Sequence, residues 1–272
     1  MAHQVPRIGP VRVLVTGAGR AIGRATALEL AARGHSVTAS ARDEVVLEDL
    51  AVDATVALDV TGPSSVDAAL ARCGELDAVV NNAAVTCAGP LETFPVETLR
   101  AMFDTNALGA LRVVQGLVST WRTRGHGVVV NVSSVQGRVS TPLEGAYAAT
   151  KFALEALSET LHYELRRFGI RTVIVQPGYT APGMKAAEPH HGPAAYAELW
   201  RQWQGTDTVL TGSGGRPGPD QVARAVADAI EDPTTPLRVE VGDDARLVLD
   251  ARRRLDDAGF EAAMREALGL TW

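Results

Sequence analysis

The stretch Val11-Arg12-Val13-Leu14-Val15-Thr16-Gly17-Ala18-Gly19-Arg20-Ala21-Ile22-Gly23 decides the fold. Residues 11–16 read as a short apolar strand and residues 23–33 as an amphipathic helix. In the turn between them, Gly17 and Gly19 permit backbone geometries that a side chain would obstruct, and Gly23 lets the helix approach the strand closely. A strand, a glycine turn and a helix in that order bring free N–H groups and the positive end of a helix dipole to one point, where a pyrophosphate can sit. Gly19 and Gly23 are separated by three residues, so the spacing is not G-x-G-x-x-G. The strand–turn–helix context carries the nucleotide reading.

Outward from this turn, apolar strand-like runs alternate with helical stretches. Strands are expected at residues 36–40, 55–59, 78–81, 128–132 and 171–176. Helices are expected at 64–72, 95–122 and 144–168. The strands are apolar on both faces, as in a parallel sheet covered by helices on both sides. The β–α alternation predicts an α/β fold: one Rossmann-type, doubly wound parallel sheet with right-handed crossovers, in a single dinucleotide-binding and catalytic domain over residues 1–272. Residues 179–218 break the pattern. They are rich in Gly and Pro and hold Tyr196, Trp200, Trp203, His190 and His191, as expected of a substrate lid. A short helix with an aromatic face is expected at 194–204, a helix at 220–231, an edge strand at 237–241 and a C-terminal helix at about 251–268.

The 272 residues are 46% hydrophobic and 21% charged, enough apolar material for one large α/β core. A net charge of −6 argues against nucleic acid as a partner. No apolar run approaches the ~20 residues that span a bilayer, so no membrane segment is expected. Residues 1–10 lack a signal-peptide pattern, and the two cysteines, Cys73 and Cys87, suggest free thiols and neither a disulfide framework nor a metal site. A cytoplasmic location is expected. His190-His191 has no acidic or cysteine cluster beside it, and no metal is expected.

The chemistry concentrates around Tyr147-Ala148-Ala149-Thr150-Lys151. A phenol and an ammonium four residues apart share one helix face. A free Tyr titrates near ~10, and a neighbouring Lys cation would pull it toward the working range. Ser134 stands at the C-terminal end of the 128–132 strand, so Ser134, Tyr147 and Lys151 are expected to converge where a carbonyl or alcohol is held. At the end of the second strand, Arg42 occupies the region where a carboxylate would bind the ribose 2′-OH of NAD. Arg42 and Arg20 suit a 2′-phosphate instead, which favours NADP(H). Asp43 keeps NAD(H) open, because it could neutralise Arg42 or take the 2′-OH itself.

Together these residues resemble the short-chain dehydrogenase/reductase family, from residue 11 to about 268. The likeness rests on the glycine turn at 16–23, Asp59-Val60, Asn81-Asn82-Ala83-Ala84, Asn106, Ser134, Tyr147 with Lys151, and Pro177-Gly178. It implies hydride transfer between a nicotinamide cofactor and a carbonyl or alcohol. Tyr147 would be the acid or base. Lys151 would lower its pKa and hold the nicotinamide ribose, Ser134 would hydrogen-bond the substrate oxygen, and Asn106 would support a water relay beside Lys151. Gly17, Gly19, Arg20, Ala21, Ile22 and Gly23 would cradle the pyrophosphate, and Asp59 and Val60 would frame the adenine. Asn81, Asn82, Ala83 and Ala84 would contact the cofactor or brace the sheet. Pro177, Gly178 and Thr180 would border the nicotinamide. The sequence departs from the family in having Ala84 and Ala21 where Gly is usual. It also has Pro182 where a Thr often follows Pro177-Gly178, a place Thr180 partly fills.

The aromatic, apolar lid suggests a hydrophobic or bulky ketone, aldehyde or secondary alcohol. Gln136, Gly137, Arg138 and Leu143 are expected to line the pocket between Ser134 and Tyr147, with Tyr179 and Met184 closing it. Trp200 and Trp203 either cover the substrate or pack the lid. The tail at 239–246 loosely resembles members acting on hydroxysteroids and retinoids. The helices at 95–122 and 144–168 carry more apolar residues than one stripe needs, and the family resemblance implies a homodimer or homotetramer through them. A rival reading keeps the fold and drops catalysis: an NADP-binding regulatory or scaffold protein. An epimerase or dehydratase reading is disfavoured by the short C-terminal part.

Overall fold

The computed structural model describes residues 9–181, 183–184, 186–211 and 217–272. Pro182 and part of the expected lid lie outside the described residues. Seven strands form one parallel sheet in the order β3-β2-β1-β4-β5-β6-β7. They are β1 (Arg12–Val15), β2 (Ser36–Ala41), β3 (Ala54–Ala57), β4 (Ala78–Asn81), β5 (Gly127–Val132), β6 (Ile170–Pro177) and β7 (Arg238–Val241). The chain winds outward from β1 to β3, returns to pair β4 with β1, and continues to the other edge. That reversal opens a crevice at the C-terminal ends of β1 and β4, the usual ligand position in such sheets.

The period of two along each strand builds two cores. Val13 and Val15 face one side, with Leu30 of α1 (Ala21–Ala32) and Val226 and Ile230 of α7 (Asp220–Glu231). Leu14, Val79 and Val129 face the other, with Val113, Leu117 and Trp121 of α4 (Gly109–Arg124) and Val66 of α2 (Pro63–Cys73). Val129 and Val130 are both fully buried, which is why these strands show no polar alternation.

Two helical expectations are corrected. Residues 95–122 are not one regular helix: α3 (Val96–Phe103) runs into a single wide π-type turn, Asp104–Leu108, before α4. The apolar spacing continues through the turn and hides it. Residues 251–268 are not one helix either. α8 (Asp243–Arg254) ends, and Asp256 then caps α9 (Asp257–Leu268) by accepting from the Gly259 N–H at 2.8 Å. The helix of the lid region, α6 (Ala197–Thr211), starts and ends later than expected. The helix that carries Tyr147 and Lys151, α5, is Gly145–Leu165.

Candidate active site

The site begins at the turn after β1. The first turn of α1 carries no acidic residue, and no side chain caps it, so its N–H groups are left for an anion. Gly17 has φ +66°, and a Cβ there would come within 2.9 Å of the Ala83 Cα. A Cβ on Gly23 would come within 2.3 Å of the Gly17 carbonyl. The turn is therefore a tight cradle with no room for side chains. Asn82 braces it: its Nδ2 donates to the Thr16 and Gly17 carbonyls at 2.9 and 3.1 Å. The Thr16 hydroxyl in turn accepts from the Asn82 and Ala83 N–H groups. Deeper in, Asn81 and Asn131 face each other in register on β4 and β5. The Asn81 amide donates to Asn131 at 2.8 Å, and Asn131 donates to Ser158 of α5.

From this cradle a cleft of about 760 Å³ runs to Tyr147. Gly17, Gly19, Arg20, Ala21, Ile22, Gly23, Arg42, Asp59, Val60, Asn82, Ala83 and Ala84 line one end. Ser134, Gln136, Tyr147, Lys151, Pro177, Gly178, Tyr179, Thr180 and Met184 line the rest. Ala84 does not have a positive φ, so its methyl brings no backbone strain, whereas Ala21 sits at φ +44°. Arg42 makes no ion pair among the described residues and helps hold the Asp59 carboxyl below its usual range, after the Thr61 N–H and hydroxyl. Asp43 turns away from it, accepting from the Val45 N–H at 3.1 Å. Arg20 reaches across the cleft to donate to the Gly183 carbonyl at 2.9 Å. The dinucleotide-shaped groove fits a nicotinamide nucleotide: an uncapped helix start for the phosphates, a close-packed glycine turn, and a long cleft ending at a buried phenol.

At the far end, Ser134 is extended and its Oγ accepts from the Gln136 N–H at 3.1 Å. The same hydroxyl lines the cleft with Tyr147 and acts to lower the pKa of the phenol. Lys151 is buried, its Nζ donating to the Val132 carbonyl at 2.8 Å and lying 5.7 Å from the centre of the Tyr147 ring. Burial pushes its pKa down to about 8. The expected lowering of the Tyr147 pKa is overturned. Burial, then the nearby Glu144 carboxyl, push it up, and the Ser134 hydroxyl only partly opposes them. The phenol is therefore held protonated at neutral pH.

Asn106 sits in the π-type turn behind the cleft and does not line it. Its Oδ1 accepts from the Val85 N–H at 2.8 Å, and its Nδ2 donates to the Val85 carbonyl and to Thr150, each at 2.9 Å. Leu143 is also removed from the substrate position expected for it. It is buried with Leu199, Leu268 and Leu270, because α6 and α9 fold over it. Trp200 and Trp203 pack against that same cluster, and Trp200 Nε1 donates to the His191 carbonyl at 2.9 Å. His190 stands edge-on to Phe94. Arg138 lines a separate surface groove with Glu155, Glu159 and Arg238. Sequence reasoning missed Thr86 and Glu144, both of which line the cleft. Glu144 was within reach, since it precedes Tyr147 by three residues and so shares its side of the helix.

The parallel sheet, its crevice and the Ser134, Tyr147 and Lys151 cluster define an oxidoreductase of the Rossmann type. Residues 11–192 match the short chain dehydrogenase family, and the chain belongs to that family. An uncharacterized oxidoreductase of Schizosaccharomyces pombe is 32% identical over 76% of this chain and 87% of its own length. A short-chain dehydrogenase from Streptomyces avermitilis superposes with a TM-score of 0.79 at 34% identity, over 96% of this chain and 98% of that one. A gluconate 5-dehydrogenase from Burkholderia cenocepacia, solved with NADP and tartrate, has a TM-score of 0.72 at 27% identity, over 88% of this chain and 96% of that one. Among the described residues no helix is long and apolar enough to cross a membrane.

Proposed function

We propose that the protein is an NADP(H)-dependent reductase or dehydrogenase acting on a hydrophobic or bulky ketone, aldehyde or secondary alcohol. One observation carries the reading: Ser134, a protonated Tyr147 and Lys151 line the far end of a cleft that starts at an uncapped helix N-terminus. When bound, the nicotinamide would supply or accept the hydride. The chain does the rest. Ser134 and Tyr147 point two O–H donors at the substrate oxygen. Tyr147 gives its phenolic proton to that oxygen as negative charge develops on it, and takes it back in the oxidative direction. Lys151, fixed on the Val132 carbonyl, places positive charge behind the phenol and favours the phenolate once the proton has left. Arg42, which makes no ion pair among the described residues while Asp43 serves as a cap, supports the choice of a 2′-phosphate. The gluconate 5-dehydrogenase solved with NADP supports the same cofactor class.

Tyr147→Phe is expected to lower turnover by about 10²- to 10⁴-fold while NADPH still binds, read from nicotinamide absorbance and cofactor fluorescence. An unchanged rate would remove Tyr147 from the mechanism. Arg42→Asp is expected to shift the NADPH/NADH preference at least about tenfold toward NADH. An unchanged ratio would refute the phosphate role. Cofactor binding without turnover on any carbonyl tried would favour a binding protein.

We also propose that α4 and α5 carry a homo-oligomer contact. Ala149, Phe152, Ala156 and Tyr163 lie exposed on one face of α5, with Phe152 at 45% and Tyr163 at 71% exposure. Leu108 at the start of α4 is 43% exposed. A stripe of apolar groups at helical spacing that no described part of the chain covers matches an interface between copies.

A further inference from the structure

Glu144 lines the cleft beside the reacting groups, yet proton transfer makes no use of it. It is the N-cap residue of α5, its carbonyl accepting from the Ala148 N–H at 2.9 Å. Its side chain stands one turn before Tyr147, and Thr86, from the segment after β4, lines the same cleft and acts to lower the pKa of the carboxyl. Other groups feel its charge: the Tyr147 phenol and the Cys87 thiol are both pushed up by it. It forms no ion pair with a Lys or Arg among the described residues. The cleft it lines also holds Lys151, whose ammonium donates to the Val132 carbonyl, and the neutral Val85, Ser134, Gln136, Tyr179 and Met184. Burial accordingly pushes the carboxyl up to about 7.

A half-buried carboxyl with no cation beside it is costly when ionised, and a cation arriving with the substrate would offset that cost. Glu144 thus brings an acid with no Lys or Arg partner among the described residues to the cleft that Tyr147 also lines, and it calls for a donor on the substrate.

Building on the reductase reading, we propose that Glu144 determines substrate choice. Its carboxylate pairs with a protonated amine close to the reacting carbon, so the preferred substrates are amino ketones and the corresponding amino alcohols. A substrate with a carboxylate at that position meets like charge and is rejected.

The test uses three matched ketones with saturating NADPH: an amino ketone protonated at the assay pH, its isostere with carbon in place of nitrogen, and the keto acid. In the native enzyme kcat/KM is expected to favour the amine over the isostere at least about tenfold, with the keto acid poorest. That ratio should grow as pH rises from about 5 to 8, because the carboxyl ionises around 7. In Glu144→Gln the amine-to-isostere ratio should fall toward one and lose its pH dependence, which a merely structural role would not produce. Equal use of amine and isostere by the native enzyme, or the same ratio in Glu144→Gln, overturns the assignment. If the isostere is turned over and Tyr147→Phe abolishes that turnover, the reductase reading survives such a result. Absence of turnover on all three ketones overturns both.

Discussion

Ala21 and Leu143 hold backbone angles that side chains disfavour, at φ +44° and +65°. A left-handed residue with a Cβ carries about 1–2 kcal/mol of strain. Ala21 offsets little of it, since a methyl buries little surface. Ala21→Gly should relieve that strain at the smaller cost of a more flexible unfolded chain, for a net gain of about 0.5–1 kcal/mol in urea unfolding. Leu143→Gly tests the opposite balance. The same relief is outweighed by the cavity left among Leu199, Leu268 and Leu270, and stability should fall by about 2–3 kcal/mol. Leu143 shows where residue-level reading ends. Its position between Ser134 and Tyr147 points to the substrate, but α6 and α9, distant in sequence, bury it elsewhere. Ser134, Tyr147 and Lys151 were legible because each sits at a place fixed by local structure: a strand end, or one face of one helix. The direction of the Tyr147 shift was not legible, because it depends on how deeply the ring is buried and on Glu144 beside it.

At the scale of elements, the wide turn between α3 and α4 has a clear physical purpose. It aims the Asn106 amide at the backbone of Val85 and at Thr150, whose hydroxyl donates to the Tyr147 carbonyl at 2.8 Å. The exit of β4 and the turn of α5 that carries Tyr147 are thereby fixed to each other. Asn106→Ala would leave the Val85 N–H and carbonyl without these partners, and a loss of about 2–4 kcal/mol is expected in urea unfolding. Turnover should fall more than NADPH affinity, since the displaced element carries Tyr147 and not the glycine turn. Nothing in apolar spacing announces such a turn, because the extra residue leaves the buried stripe nearly continuous. The single helix expected at 251–268 ran through the break between α8 and α9, although the sequence carries a signal for it. Arg252, Arg253 and Arg254 form a basic last turn, and Asp256 follows as a cap, the usual signature of one helix ending and the next beginning.

For the whole molecule, the alternation of doubly apolar strands and helices was enough to foresee the parallel sheet and its crevice, since both follow from how each strand buries its two faces. What covers an aromatic helix depends on contacts between distant segments, so the packing of Trp200 and Trp203 on the C-terminal residues was not foreseeable. If copies meet through α5, Phe152→Asp should shift the sedimentation coefficient toward that of a monomer, with little change in the circular dichroism spectrum. Two titratable groups of the cleft, Glu144 and Lys151, also give the molecule a pH response. Glu144 has its pKa raised from an ordinary 4.5 to about 7, so the folded state holds its proton more tightly than the unfolded chain does. Its stabilising contribution is full below about 4.5 and is lost as pH rises through 7. Lys151, lowered to about 8, acts in the other window: its contribution is full above 10.5 and is lost as pH falls through 8. Solvent reaching the half-buried carboxyl reduces the first effect to no more than about 3 kcal/mol. Gln does not titrate, so the stability of Glu144→Gln relative to the native chain should climb steadily between pH 4.5 and 7 and then level off, as measured by urea unfolding across pH. A flat difference over that range would mean that Glu144 is already ionised at low pH and faces water.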